Sequence, residues 1–185
     1  MWEIRIHGRG GQGVVTAARM LAIAFVLEGK WASAFPLFGT ERQGAPVAAF
    51  VRVDCKPVLQ NTQVYEPDCL IILDPLQARS EATFIGLKNS GTVVLSTTKQ
   101  VTERQYENVG VIGFIDGIAI ALKEIGRPIA NTCMLGSFAK TTNWITLDSI
   151  MASLKEYFEG SRLQGNINCV RQGFEKTDVV RFVGC

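Results

Sequence analysis

The chain has 185 residues, of which 47% are hydrophobic and 19% charged, with a formal net charge of +2 and a mean hydropathy of +0.17. That length makes one domain over residues 1–185 the expectation. So small a net charge argues against a nucleic-acid partner or a polybasic membrane surface, and the longest apolar run, Met20 to Leu27, is eight residues, well short of the roughly 20 that cross a bilayer.

Glu3, Arg5 and His7 interrupt the N-terminus before any apolar signal region can form. The five cysteines, at 55, 69, 133, 169 and 185, include no C-x-x-C pair. Neither an iron–sulfur cluster nor a structural zinc site fits that spacing. An odd count without a leader points to free thiols in a reducing, cytoplasmic compartment. Cys69 and Cys133 read as small buried hydrophobes. His7 is the only histidine, which excludes a three-histidine metal site.

Trp2 to Ile6 alternates apolar and polar residues, as a short strand does. Gly8, Gly10, Gly11 and Gly13 follow, and Val14 to Leu27 reads as a mostly apolar helix. A strand, a glycine turn and a helix make a concave nest of backbone N–H groups with a positive helix end behind it, suited to an anion. Gly8, Gly10 and Gly13 also satisfy G-x-G-x-x-G. A dinucleotide fold would place an acid at the end of the second strand, but Trp31 to Phe35 ends in Pro36. Tight packing, a phosphate-bearing ligand and a dinucleotide site all remain open on spacing alone.

Gly29 closes the first helix. Val47 to Val53 is a third strand, expected to pair near Trp31–Phe35, and Asp54 to Val64 is a turn and connection. Cys69 to Leu73 is a continuous apolar run and reads as a buried central strand. Asp74-Pro75 follows, where an acid at the carboxyl end of a parallel strand admits a functional reading, but Asp before Pro favours the cap of a helix predicted over Gln77 to Leu87. Thr92 to Ser96 and Val109 to Ile115 are further strands, and Asp116 caps a helix over Ile118 to Ile125. Asn131 caps Thr132 to Lys140. Leu147, Ile150, Leu154 and Phe158 form one apolar stripe of a helix over Thr146 to Phe158. Gln164 to Arg171 is a last helix, and Gly173 to Cys185 a tail. Strands alternating with helices predict a three-layer α/β/α sandwich around a mostly parallel, mixed sheet.

No nucleophile elbow, metal-ligand cluster or paired carboxylate motif is visible. His7, Arg9 and Gln12 beside the glycine turn, Thr40, Glu41 and Arg42 in the next loop, and Asn131 with Thr132 can gather at one edge of the sheet. That edge suits gripping a ligand or docking on a partner, and it lacks an acid–base pair.

Three segments resemble the gamma subunit of the 2-oxoacid:ferredoxin oxidoreductases: His7-Gly8-Arg9-Gly10-Gly11-Gln12-Gly13-Val14-Val15-Thr16-Ala17, the run from Ala34 to Val47, and Asn131-Thr132-Cys133-Met134-Leu135-Gly136. The resemblance implies a subunit that is not itself catalytic, in a complex that oxidatively decarboxylates a 2-oxoacid with coenzyme A to acyl-CoA, carbon dioxide and two electrons. It places thiamine diphosphate, Mg2+ and [4Fe-4S] clusters in alpha-, beta- and delta-type partner subunits, with ferredoxin or another acceptor taking the electrons. The loop Phe38–Pro46 resembles the pyruvate-type branch, although Gln43 stands where arginine is common; arylglyoxylate- and oxalate-oxidising relatives share the same plan. The family's gamma domain helps form the coenzyme A channel. That role makes Gly8, Arg9, Gly10, Gly11, Gln12, Gly13, Arg42 and Asn131 candidate coenzyme A-binding residues, set against the alternative that the motifs are purely subunit interface.

Overall fold

The computed structural model describes residues 1–37 and 44–182. Its strands are β1 (Trp2–Arg9), β2 (Trp31–Pro36), β3 (Pro46–Asp54), β4 (Cys69–Ile72), β5 (Gly91–Ser96), β6 (Val109–Ile115) and β7 (Asp178–Arg181). The helices are α1 (Val14–Leu27), α2 (Glu81–Phe84), α3 (Gly117–Ile125), α4 (Asn131–Thr142), α5 (Leu147–Ser153) and α6 (Gly160–Lys176). The strands form one seven-stranded sheet in the order β2-β3-β1-β4-β5-β6-β7. β1, β4, β5 and β6 are mutually parallel, β3 and β7 oppose them, and β2, antiparallel to β3, shares their direction. Five of the seven strands therefore run one way, giving the mixed, mostly parallel sheet expected from the sequence.

The layers are unequal. One face carries Ile4, Ile6, Val51, Ile71 and Val94 against α1, α4, α5 and α6. The other is covered by α2, neighbouring connections and Phe182, over Leu70, Ile72, Val93 and Ile112. Cys69–Ile72 is buried along its whole length, as a strand sandwiched on both faces must be.

Several element boundaries depart from the sequence reading. β1 continues through Gly8 and Arg9, because β3 pairs with it as far as Arg9↔Pro46. The helix expected over Gln77 to Leu87 breaks into one 3-10 turn, Gln77–Arg79, and the four-residue α2. The cause lies in a distant strand: the buried Arg5 donates through Nη2 to Thr83 O at 2.9 Å and Ile85 O at 2.7 Å. Those carbonyls are thereby engaged outside a helical ladder. The Thr146–Phe158 helix is α5, capped by Thr146, followed by a 3-10 turn over Leu154–Glu156. α6 extends beyond Gln164–Arg171 at both ends, and the presumed tail contains β7 on the edge beside β6.

An aromatic cluster locks the amino-terminal edge of the sheet. Trp2 stacks on Trp144 at 4.7 Å, Phe138 meets Trp144 edge-on at 5.9 Å, and Phe25 meets Phe138 at 6.4 Å. With that end filled, the opposite edge, where β1, β4, β5 and β6 terminate, is left for the site. The chain path reverses between β1 and β4: α1 leads away to β2 and β3 on one side, and β4 to β6 build the other. In open α/β sheets ligands bind in the crevice at the carboxyl ends of strands flanking such a reversal.

Candidate functional site

The glycine turn closes the carboxyl end of β1. Arg9 N–H donates to Gln12 Oε1 at 2.8 Å, and Gln12 N–H returns to Arg9 O at 3.0 Å. Gly10 N–H donates to Ala45 O at 2.9 Å, which ties the turn to the start of β3. Gly11 and Gly13 take φ of +94° and +74°, a left-handed conformation that side chains with a Cβ resist. Gln12 thus shapes the turn from within, and its Oε1 is engaged there.

Gly13 is the N-cap of α1, with no side-chain cap and no acid in the first turn. The first N–H groups of α1 consequently lack intrahelical partners and carry the positive end of the helix dipole. Asn131, only 4% exposed, reaches across from α4. Its Nδ2 donates to Gly13 O at 3.4 Å, while its Oδ1 accepts Thr132 N–H at 2.9 Å. The expected capping residue is therefore the first residue of α4, with Ala130 at the cap position, and its amide clamps the glycine turn.

Arg9 pairs through Nε with Asp74 Oδ2. Asp74 is 5% exposed and also accepts Leu76 N–H through Oδ1 at 2.9 Å. The helix cap expected of it is not realised, because the 3-10 turn has Leu76 at its cap position with no side-chain cap bond; Asp74 instead holds the turn before it and anchors Arg9 across the β1–β4 crevice. Its position at the end of a buried parallel strand was the signal available for that second role. Among the described residues the terminal guanidinium nitrogens of Arg9 make no hydrogen bond, and a guanidinium has five N–H donors to share.

His7 contributes no positive charge. Burial first, and the charge of Arg5 second, push its imidazole down from the ordinary value to about 3, and its Nε2 has no hydrogen-bond partner among the described residues. The folded chain therefore keeps His7 neutral while the unfolded chain protonates it below about pH 6.5. Between about pH 6.5 and pH 3 the unfolded state binds the extra proton. Stability is full above that window and falls on acidification by up to about 1.4 kcal/mol per pH unit. Urea titrations of the chain and of His7→Asn at pH 7 and pH 5 check this: the substitution is expected to flatten the acid-side loss.

Gly8, Arg9, Gly10, Gly11, Gln12, Gly13 and Asn131 are thus brought together at one edge. Arg42, with Thr40 and Glu41, lies outside the described residues. Gly11 and Gly13 also line a cleft of about 480 Å3, shared with Arg127 beyond α3, Phe158, and Arg162 in the first turn of α6. The sequence reading missed these contributors, since Arg127 and Arg162 carry no motif and only the fold brings them beside the turn. Among the described residues no group of three or more His, Cys, Asp or Glu can hold a metal ion, and no helix is long and apolar enough to cross a membrane. Cys69 and Cys133 are buried, and burial pushes the Cys133 thiol up to about 12, which suits packing and not reactivity.

The family model described as pyruvate ferredoxin/flavodoxin oxidoreductase matches residues 3–176. The chain is 44% identical over 182 residues to the common gamma subunit of pyruvate/ketoisovalerate oxidoreductases from Pyrococcus furiosus, covering 97% of this chain and 98% of that one. It is 42% identical over 181 residues to the gamma subunit of NADH-dependent phenylglyoxylate dehydrogenase from Aromatoleum evansii, covering 97% and 95%. The crystal structure of pyruvate oxidoreductase subunit PORC from Thermotoga maritima superimposes with a TM-score of 0.81 at 33% identity, covering 96% of this chain and 97% of that one. A match that runs almost end to end, on a fold shared throughout, shows that the chain belongs to the pyruvate ferredoxin/flavodoxin oxidoreductase family.

Proposed function

We propose that the chain is the gamma-type subunit of a 2-oxoacid oxidoreductase complex that converts pyruvate and coenzyme A to acetyl-CoA, carbon dioxide and two electrons for ferredoxin. The observation that carries this reading is the end-to-end 44% identity to a gamma subunit named as common to pyruvate and ketoisovalerate oxidoreductases. A subunit common to two oxoacids leaves their discrimination to partner subunits. Thiamine diphosphate with Mg2+ and [4Fe-4S] clusters, held by alpha-, beta- and delta-type partners, supplies the decarboxylation and the storage of electrons. The wide cysteine spacing and single histidine of this chain fit that division.

This chain's own part is to bind and orient an anion. Coenzyme A carries three phosphates. The uncapped N-terminus of α1 and the Arg9 guanidinium offer donors at this edge of the sheet. Asp74 and Asn131 hold those donors in place. In this reading Gly8, Gly10, Gly11, Gln12 and Gly13 form the cradle, with Arg42 contributing from the neighbouring loop. Free thiols at Cys55, Cys69, Cys133 and Cys169 accord with a cytoplasmic setting.

A cradle of this kind tolerates no side chain at its mouth. An added Cβ at Gly11 meets nothing within 4 Å, so valine there projects into the open site. Gly11→Val is expected to raise the KM for coenzyme A about tenfold, the loss of one charge-assisted contact, with thiamine diphosphate binding and the KM for pyruvate unchanged. Unaltered coenzyme A kinetics in the assembled complex would remove the placement. The 42% identity to a phenylglyoxylate dehydrogenase gamma subunit favours one second reading, an arylglyoxylate as the oxoacid. A panel of 2-oxoacids offered to the native complex decides between them.

A further inference from the structure

The sheet ends on β2, and among the described residues no strand pairs with its outer side. One bond fixes where its main-chain groups point. Leu37 N–H donates to Ala48 O at 2.9 Å, in the register that pairs Phe35 with Phe50, Ser33 with Arg52 and Trp31 with Asp54. Bonded and non-bonded pairs alternate along an antiparallel ladder, so Trp31, Ser33 and Phe35 bond to β3. Ala32 and Ala34 therefore turn their N–H and C=O groups away from the sheet. Charged side chains, bulges and prolines ordinarily protect such an edge. The opposite edge strand, β7, has Asp178 and Arg181 at its ends. Trp31–Pro36 carries no charge, and its proline comes only at the last position.

The helix above this edge is equally bare. α1 packs over β2 and β3, where a surface helix is expected to turn a polar stripe to water. Over its 14 residues α1 has one charged side chain, Arg19. Ile23, Val26 and Leu27 follow Arg19 at helical spacing on the same stripe. Val26 is 53% exposed and Leu27 57%, and Trp31 at the start of β2 is 54% exposed. An open strand edge beside an apolar helix stripe is complementary to another strand with a helix above it.

A second copy of this chain presents that combination, and the strand is complementary to itself. With two β2 strands antiparallel about a two-fold axis at Ser33, Ala32 faces the partner's Ala34 and Ala34 the partner's Ala32, each pair exchanging both main-chain bonds. Trp31 then lies opposite the partner's Phe35 as an aromatic cross-strand pair, and Ser33 opposite the partner's Ser33. The Ser33 hydroxyl has no hydrogen-bond partner among the described residues of one chain, and no like charges meet along the strand. A register shifted by two would set Pro36, which has no N–H, against Ala32. The same axis lays the two α1 helices side by side with their apolar stripes together. We infer that β2 is the seam of an isologous homodimer, in which two sheets join edge to edge.

Sedimentation velocity of the full chain and cross-linking in the assembled complex test the seam. The chain is expected to sediment at twice its 20.2 kDa. Ala34→Pro removes one outward donor from each copy and no bond to β3, a position where a sheet accepts proline. Its dimer dissociation constant is expected to rise about tenfold or more, with the circular dichroism of the folded chain retained. The double variant Val26→Lys and Leu27→Lys acts from α1 instead. Lysines in the last turn favour the helix, so weaker association with folding intact is expected there too. Ser33→Cys sets two thiols at a non-bonded pair, within disulfide reach. Diamide, which takes up both thiol hydrogens, is expected to link two copies of this chain, alone and in the complex, above the background from the exposed Cys55. A single-copy mass for the unsubstituted chain overturns the inference. So does a dimer as tight in both association variants as in the parent, a Ser33→Cys link to a different subunit, or no link above background. None of these readouts involves coenzyme A, so their failure leaves the acyl-acceptor reading untouched.

Discussion

Gly13→Ala is expected to destabilise the chain by about 2–3 kcal/mol, while Gly11→Ala costs only about 1–2 kcal/mol, the backbone strain alone. Both glycines sit at positive φ, +94° at Gly11 and +74° at Gly13, so each substitution pays the left-handed penalty. Their surroundings differ. A Cβ at Gly11 meets open space, whereas a Cβ at Gly13 collides with the side-chain amide of Asn131. That amide is 4% exposed and makes the 3.4 Å bond to Gly13 O, so displacing it unpairs a buried polar group as well. Urea denaturation of the two variants measures the difference. Combining Gly13→Ala with Asn131→Ala removes the collision partner, and the double variant is expected to be less destabilised than the sum of the singles, by about 1 kcal/mol. Equal losses at Gly11 and Gly13, or strict additivity, would mean that the α4 clamp on the turn is energetically idle.

A larger loss is expected where α4 crosses α6. A Cβ at Gly173 runs into the carbonyl of Cys133, and a Cβ at Gly136 runs into the carbonyl of Val170. In both cases the obstacle is helix backbone, which cannot rotate aside as a side chain can. Gly173→Ala and Gly136→Ala are each expected to cost about 3 kcal/mol, read as a fall in Tm of roughly 6–12 °C for a domain of this size. Both force the same two helices apart, so the double variant is expected to lose clearly less than the sum. The effect reaches the site through a short chain of contacts. α4 begins with Asn131, Thr132 Oγ1 contacts Asn166 Oδ1 of α6 at 3.0 Å, and Asn166 in turn donates to Arg162 O at 2.8 Å. Spreading the crossing therefore shifts the clamp on Gly13 and the first turn of α6 together.

The sequence was most legible where one local signal decided the outcome. The continuous apolar run at Cys69 became the buried β4, and the glycine cluster before Val14 became an uncapped helix start. The Asp116 cap and the pairing of Trp31–Phe35 with Val47–Val53 were also readable at short range. What escaped was set by partners far along the chain. Gln77–Leu87 has a helical pattern, yet Arg5, nearly eighty residues earlier, takes two of its carbonyls. β7 has only four residues, ending in charges, and gains strand character from β6 alone. Asp74 read as a helix cap, yet the helix it would cap is broken, and its place at the end of a buried parallel strand was the only pointer to its hold on Arg9 across the crevice. Asn131 shows the same limit from the other side: its importance was visible in a recognised segment, and its physical task, clamping Gly13, required the fold. Arg127 and Arg162 lie outside every motif, so the cleft they line became visible only in three dimensions.

The chain lends an anion-binding edge to redox chemistry performed by other subunits. The most direct measurement is the rate of coenzyme A-dependent pyruvate oxidation by the complex reconstituted with and without this chain, alongside the chain alone. The account expects turnover only when the chain joins its partners, and none from the chain by itself. Turnover by the isolated chain, or full coenzyme A-dependent activity in its absence, would contradict it.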